Sequence, residues 1–175
     1  LLVDLLLILF FLLKIKKNQK DFLILTGSDS SHFNSLVNLL ATLKEHENDT
    51  EIKIFNLGLE EKEKNYLKEN FNFEIIDFEF SKYPEFVSKR DKFNKLGSYS
   101  WKPIIIYEQY ESTNKNILWL DAGCLITKEL TLVKNIILKN GFYSPQSSDN
   151  VKRWTHESTL SKLKVPEKLY TKRNI

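Results

Sequence analysis

The chain has 175 residues, which is enough for one domain with a hydrophobic core. Hydrophobic residues make up 42% of the sequence and aromatic residues 13%, so an intrinsically disordered chain is excluded. The 26 basic and 23 acidic residues nearly balance, so we do not expect nucleic acid as a partner. A single cysteine, Cys124, excludes an intrachain disulfide and a cysteine-based zinc site.

The first predicted element is an apolar stretch, LLVDLLLILFFLL at residues 1–13, with one charged residue, Asp4. As a helix it would span roughly 20 Å, which is less than the hydrocarbon core of a bilayer. Because the stretch has no polar face, we predict a membrane anchor or signal segment, with a buried N-terminal helix as the alternative. A basic linker follows at residues 14–21. These features predict a membrane-anchored protein of the secretory pathway or cell envelope.

From residue 22 onward, short apolar runs alternate with stretches whose apolar residues recur at helical spacing. Tyr66 and Leu67 are expected to face the core from the second helix. The alternation predicts an α/β fold with an open, mainly parallel sheet and helices on both faces, in one domain over residues 22–175. The strands are predicted at 22–26, 51–59, 73–80 and 117–126, and the helices at 32–47, 60–70, 101–112, 129–140 and 158–163.

Polar residues follow the first and fourth predicted strands, where an open parallel sheet binds ligands. Thr26, Gly27 and Asp29 lie after the first strand, and Asp121 interrupts the fourth. A carboxylate such as Asp121 could bind Mg²⁺ or Mn²⁺, which take oxygen ligands and keep water and substrate phosphates in their shells. The alternative is a carboxylate that stabilises a strand-end turn. Gly123 stands where a second acidic ligand would complete a pair.

A second candidate site lies in residues 93–106, where Lys95 and Lys102 flank a Gly-Ser-Tyr-Ser loop that leads into a predicted helix. Backbone N–H groups at a helix start, with lysines beside them, favour an anion. Tyr99 or Trp101 could stack on a base or a sugar ring. The alternative is that the lysines are solvated and Trp101 packs on the sheet.

A polar segment at residues 141–160 contains Gln146 and His156. It could bind sugar hydroxyls, or it could be a surface connection. His156 is a candidate base or metal ligand, although lone histidines are more often neither. The sequence contains no P-loop and no glycine-rich dinucleotide fingerprint.

Three stretches resemble glycosyltransferases of the GT-A type, which use nucleotide-sugar donors: FLILTGSDSSHF from Phe22, YSWKPIIIYEQY from Tyr99 and ILWLDAGCLI from Ile117. The likeness extends from about residue 21 to 160. In that family an Asp-X-Asp motif at such a strand binds the metal, and the matching residues here are Asp121, Ala122 and Gly123. The family's domains usually continue with acceptor-binding segments, so a domain incomplete at its C-terminus is expected.

The resemblance implies that Asp121 contacts Mn²⁺ or Mg²⁺ and the donor diphosphate. It also implies that the loop after Thr26 lines the nucleotide and that Lys95 or Lys102 approaches the diphosphate or the donor sugar. The implied activity is hexosyltransferase-like: transfer of a sugar from a nucleotide-diphosphate donor to a hydroxyl of a glycan, protein or lipid, with His156 as one possible base. The alternatives are a non-catalytic nucleotide-sugar or glycan-binding domain and a membrane-tethered interaction domain.

Overall fold

The computed structural model describes residues 22–145 and 149–171. The described residues divide into two compact units, 22–134 and 135–171. The elements in chain order are β1 (Phe22–Ser28), α1 (Phe33–His46), β2 (Glu51–Asn56), α2 (Glu61–Asn70), β3 (Glu74–Asp77), α3 (Trp101–Ser112), β4 (Asn116–Trp119), α4 (Thr131–Asn140), α5 (Val151–Trp154) and α6 (Glu157–Lys162).

The four strands form one sheet in the order β3-β2-β1-β4, and every pair is parallel. The predicted open, mainly parallel sheet is therefore confirmed. From β1 the chain proceeds outward through β2 to β3, and β4 then returns to the free side of β1. The strand order thus reverses between β1 and β4, which is where ligands bind in sheets of this kind.

Helices cover both faces of the sheet, as predicted. Successive side chains of β1 point to opposite faces. Leu23 and Leu25 pack in one cluster with Trp101 and Ile105 of α3. Ile24 points to the other face, where α1 contacts β1 and contributes four fully buried leucines. These leucines are Leu36, Leu39, Leu40 and Leu43.

Three predicted strands are too long, because the backbone turns earlier than the apolar pattern indicates. Strand β2 ends at Asn56, whose side-chain oxygen accepts hydrogen bonds from the N–H groups of Gly58 and Leu59. After β3 the chain enters a 3-10 turn at Phe80–Lys82.

Strand β4 is shortened in the same way, by a turn that follows it. The N–H of Leu120 still donates to the carbonyl of Leu25 at 2.9 Å, but the N–H of Cys124 then donates to the carbonyl of Asp121 at 2.9 Å. This bond closes a turn, and the predicted strand over residues 117–126 is therefore wrong beyond Trp119.

The helix predictions agree with the structure to within two residues, but the prediction for Tyr66 is wrong. Leu67 is fully buried, whereas Tyr66 is 43% exposed. Its ring packs edge-on against Phe33 with centroids 5.8 Å apart, so Tyr66 lies over the surface of α1 instead of in the core.

A buried ion pair joins the end of α1 to the first turn of α4. The ammonium of Lys134 donates to Glu47 and, at 2.7 Å, to the hydroxyl of Thr50. The second carboxylate oxygen of Glu47 accepts from the N–H of Leu130 at 2.6 Å. Both charged side chains are almost completely buried. Removing one partner would therefore leave an unpaired charge in the interior.

The predicted anchor at residues 1–13 and the basic linker at residues 14–21 lie outside the described residues. Within residues 22–145 and 149–171, none of the helices has the length and apolar character needed to span a bilayer.

Candidate functional site

A pocket of about 670 Å³ lies at the carboxyl ends of β1 and β4, where the strand order reverses. Small-molecule sites commonly have volumes of about 300–1,000 Å³. Its lining comes from the turn after β1, from residues 90–102 before and within α3, and from the turn after β4, together with Leu57. Gly27 lies at the end of β1, where a Cβ atom would be 3.3 Å from Leu57 and 3.4 Å from Trp119. The glycine therefore leaves room between these side chains.

Asp121 follows β4 and is tied to the pocket wall through one carboxylate oxygen. Lys102 Nζ donates to Asp121 Oδ1 at 2.6 Å, and Trp119 Nε1 donates to the same atom at 2.7 Å. Partial burial raises the pKa of the carboxyl, but the hydrogen bonds from Lys102 and Trp119 outweigh that effect and hold its pKa below the ordinary 3.8. Asp121 is thus negatively charged at neutral pH, and its side chain is 63% exposed.

The ammonium of Lys102 lies among three aromatic rings. Nζ is 5.6 Å from the ring centre of Tyr99, 6.0 Å from that of Trp101 and 5.5 Å from that of Trp119. Each ring at such a distance attracts a cation through its negative face. Together with Asp121, the rings fix the position of a positive charge at the pocket, where 27% of the Lys102 side chain is exposed.

The loop at residues 90–100 is organised by Asp91. One oxygen of its carboxylate accepts from the N–H groups of Phe93 at 2.8 Å and Lys95 at 2.9 Å, and the other accepts from the hydroxyl of Ser98 at 3.2 Å. The bond from the Lys95 N–H, followed by that from Phe93, holds the pKa of Asp91 below its usual value. This carboxylate therefore orders the backbone that presents Lys95 to the pocket.

The same loop contains three consecutive residues with left-handed backbone: Gly97 at φ 55°, Ser98 at φ 46° and Tyr99 at φ 66°. This conformation is unusual for a bulky residue such as Tyr99, and it requires a stabilising environment. A Cβ atom on Gly97 would lie 2.0 Å from the carbonyl oxygen of Val87, so only glycine fits there. Strained backbone of this kind is characteristic of ligand sites.

Arg90 contributes a second fixed cation. Its Nη2 donates to Asp29 Oδ2 at 3.1 Å, and the N–H of Ser31 donates to Asp29 Oδ1 at 3.1 Å. Burial raises the pKa of Asp29, but the hydrogen bonds from Ser31, Arg90 and His32 lower it by more, so Asp29 stays ionised. With Lys95 and Lys102, the pocket is lined by three cationic side chains and two carboxylates.

The pocket brings together most of the residues that the sequence predicted for donor binding. Thr26 is an exception, because its side chain is fully buried and does not line the pocket. Gln146 lies outside the described residues. The donor-binding roles remain predictions for the residues that do line the pocket, which are Gly27, Asp29, Lys95, Tyr99, Trp101, Lys102 and Asp121.

His156 belongs to the second unit, where it caps α6. Its Nδ1 accepts from the N–H of Ser158 at 3.2 Å and lies 2.8 Å from the Ser158 hydroxyl. The structure thus gives this ring nitrogen a local structural partner. A role as a base stays a prediction.

The pocket is also lined by Phe93 and Asn94, which begin the predicted site at residues 93–106 but had no role assigned, and by Arg90, which lies outside every predicted site. A signal was present, because the segment at residues 81–100 is long and irregular for an α/β domain, and such segments are usually functional or disordered. The pairing of Arg90 with Asp29 spans 61 positions and could not be derived from local patterns.

The residues at the tip of β4 do not fit a divalent metal held by side chains alone. Asp121 is followed two positions later by Gly123, and Lys102 already occupies one oxygen of its carboxylate. No group of three or more His, Cys, Asp or Glu side chains that could hold a metal ion occurs in the part of the chain that the structure describes. The predicted Mn²⁺ or Mg²⁺ would have one partly occupied protein ligand.

A protein-family model described as "Protein of unknown function (DUF1647)" matches residues 2–107, which is more than half of the chain. The chain belongs to this family. The match includes Asp29, Arg90, Lys95 and Lys102 and ends before Asp121. No curated protein matches this DUF1647 chain.

Two similar solved structures are an active-site mutant of LgtC and the galactosyltransferase LgtC in complex with donor and acceptor sugar analogs. The sequence identities are 18% and 17%, and both TM-scores are 0.43. Each match covers 63% of this chain and 41% of the solved chain, so the DUF1647 chain spans less than half the length of these proteins. At these sequence identities and TM-scores, similarity to neither structure assigns an activity to this chain.

Proposed function

We propose that this DUF1647 chain binds the diphosphate of a nucleotide sugar in the strand-tip pocket, and that the whole protein transfers the sugar to a hydroxyl of a glycan, protein or lipid. One observation carries the proposal. Arg90, Lys95 and Lys102 converge on a pocket at the reversal of strand order, beside the exposed rings of Phe93 and Tyr99.

The charges of the pocket suit a diphosphate. Its three cations exceed its two carboxylates, so a multiply charged anion would be attracted. Lysine and arginine donate charge-assisted hydrogen bonds to phosphate oxygens, which are stronger than neutral ones. The ammonium of Lys95 lies 5.4 Å from the ring centre of Tyr99, and its charge also acts on the carboxylate of Asp91. Because Lys95 lines the pocket, its ammonium is placed to donate to a phosphate oxygen there.

The aromatic residues suit the rest of a nucleotide sugar. Phe93 is 69% exposed and Tyr99 is 47% exposed, and both line the pocket, so their rings are accessible to a ligand there. A base or the apolar face of a sugar ring could stack on either of them. The pocket volume of about 670 Å³ accommodates a ligand of this class.

In the proposed reaction, the bond between the anomeric carbon and the diphosphate oxygen breaks, and its electron pair leaves with the diphosphate. The acceptor oxygen forms the new bond to the anomeric carbon and loses its proton to a base, for which His156 stays a candidate. Fixed cations at the diphosphate would stabilise the charge that develops on it in the transition state. No step of this proposal requires Mn²⁺ or Mg²⁺. Anchoring through residues 1–13 in the secretory pathway or cell envelope belongs to the same proposal.

Calorimetric titration of the full chain in mild detergent with a panel of nucleotide sugars tests the proposal. We expect binding that weakens about tenfold in Lys95→Gln, the effect of losing one charge-assisted hydrogen bond. Lys89→Gln is the matched control, because Lys89 is an exposed lysine of the same segment that does not line the pocket. Equal losses in both variants, or no binding, would contradict the proposed site.

The same titrations separate the alternatives. Binding together with release of nucleoside diphosphate in the presence of acceptors supports a transferase. Binding without turnover supports a non-catalytic nucleotide-sugar or glycan-binding domain. An absence of binding to every donor supports the membrane-tethered interaction domain.

A further inference from the structure

We infer that the ammonium group of Lys102 takes the place of a divalent cation in the pocket, so that the diphosphate binds without a metal. The inference rests on the proposed function, because it concerns how the same pocket holds the same ligand. It departs from the Mn²⁺ or Mg²⁺ expected from the sequence. Three features of the pocket support it.

The first feature is the set of oxygen ligands. Asp121 is the only acidic residue among residues 121–123, and both hydrogen bonds to its carboxylate go to Oδ1. A metal at that atom would displace Lys102 and Trp119 at once. A metal at Oδ2 alone would have a single protein ligand, and its cationic neighbour Lys102 would lie within a few ångströms. The carboxylate is therefore arranged to hold an ammonium group.

The second feature is that Lys102 is fixed in place. Its ammonium is 2.6 Å from Asp121 Oδ1 and lies within 6.0 Å of the ring centres of Tyr99, Trp101 and Trp119. A lysine ammonium has three N–H donors. One is used by Asp121, so two remain for phosphate oxygens. A cation that is already positioned loses less side-chain entropy when the ligand binds.

The third feature is the charge of the surrounding pocket. Arg90 and Lys95 line the same cavity as Lys102, and Asp29 is engaged by Arg90 and Ser31. A further divalent cation would meet a net positive charge, since three cationic side chains stand against two carboxylates, whereas a diphosphate would be attracted by that excess. The pocket is complementary to the anion alone.

The test is calorimetric titration of the full chain with UDP, GDP, ADP and inorganic pyrophosphate, in EDTA and again in Mn²⁺. We expect at least one of these diphosphates to bind in EDTA, and Mn²⁺ to change its Kd by less than about threefold, which is a small difference in binding free energy. Binding that occurs only with Mn²⁺ would overturn this inference and leave the proposed function standing. No binding under either condition would overturn both.

Substitution of Lys102 provides the second arm. In EDTA, Lys102→Gln is expected to weaken diphosphate binding about tenfold or more, and Lys102→Arg to retain most of it, because the charge is the active feature. Lys82→Gln is the matched control, since Lys82 pairs with Glu79 at 2.9 Å and does not line the pocket. Circular dichroism melting curves show whether each variant is folded. If folded Lys102→Gln binds as tightly as the parent, the inference fails.

Gly123 provides a gain-of-function arm. A Cβ atom at this position would meet nothing within 4 Å, so the first carbon of an aspartate side chain has no clash here. The double variant Lys102→Gln with Gly123→Asp is expected to bind the diphosphate again, and only with Mn²⁺, because two carboxylates and no competing ammonium then face the ligand. If Mn²⁺ restores binding to Lys102→Gln alone, Asp121 suffices as a metal ligand and the inference is overturned.

Discussion

Gly97→Ala tests whether the strained loop at residues 90–100 shapes the pocket. The residue has φ 55°, and an added Cβ would lie 2.0 Å from the carbonyl oxygen and 2.8 Å from the carbonyl carbon of Val87. A left-handed backbone costs an alanine about 1–2 kcal/mol. Overpacking against neighbours typically costs about 1–3 kcal/mol more. We therefore expect Gly97→Ala to lower the free energy of unfolding by roughly 2–5 kcal/mol.

Urea denaturation of the parent chain and the variant measures this loss. Two other glycines separate its causes. Gly141 has φ 83° and no atom within 4 Å of an added Cβ, so Gly141→Ala reports the backbone cost alone. Gly123 has no positive φ, and a Cβ atom added there would contact nothing within 4 Å. We therefore expect Gly123→Ala to change the free energy of unfolding by no more than about 0.5 kcal/mol.

The loop can also relieve the contact by moving away from Val87. In that case Gly97→Ala would keep more of its stability but displace Lys95 and Tyr99, and nucleotide-sugar binding would weaken. A variant that is as stable as Gly123→Ala and binds donors as tightly as the parent would refute the packing described for this loop.

Three further predictions concern the framework of the first unit. Lys134→Met should lower the free energy of unfolding by about 3–5 kcal/mol, because it leaves the carboxylate of Glu47 buried without its cation. The double variant Lys134→Met with Glu47→Leu should recover much of that loss, and urea denaturation measures both variants. Burial raises the pKa of Glu47, but the hydrogen bonds from Lys134, Leu130 and Thr50 outweigh burial and lower this pKa below 4.5. The ionised carboxylate therefore contributes fully to the free energy of unfolding above pH 4.5, and this contribution is lost as the pH falls through the lowered pKa of the folded state. Urea denaturation at a series of acidic pH values should therefore show a loss of stability in the parent that is smaller in Glu47→Gln, and equal losses would contradict the ion pair. Burial, followed by the carboxylate of Glu108, raises the pKa of Tyr83 to about 12, so the free energy of unfolding should fall as the pH rises from about 10 to 12. A difference absorbance titration of the parent against Tyr83→Phe should show the phenolate of Tyr83 forming near pH 12. Ionisation near pH 10 would contradict the hydrogen bond from Tyr83 to Glu108.

Local sequence patterns predicted the parts of the site that depend on strand order. The alternation of elements placed Gly27 after the first strand and Asp121 at the fourth, and the structure shows that these strands are neighbours with the pocket at their carboxyl ends. Helix α3 begins at Trp101, as its pattern indicated, which brings Lys102 beside Asp121. Periodicity is sufficient for these features because it fixes the order of strands and helices along the chain, although it does not fix the residue at which each strand ends.

The rest of the site depends on contacts that no local pattern encodes. Arg90 is oriented by Asp29, which is 61 positions away, and the loop that leads into α3 is ordered by the carboxylate of Asp91. Strand ends were misplaced for a similar reason, because an apolar run continues past the point where the side chain of Asn56 turns the backbone. Hydrogen bonds between a side chain and the backbone therefore determine both the loop before α3 and the end of β2.

Amide chemical-shift mapping of the full chain during titration with a nucleoside diphosphate in EDTA tests the central claim most directly. We predict shifts at residues 27–32, 93–102 and 121–123, with the indole N–H signals of Trp101 and Trp119 among them, since both rings surround Lys102. The amides of α2, which do not line the pocket, should stay in place. Shifts that are absent, or that spare these three segments, would contradict a diphosphate site at the tips of β1 and β4.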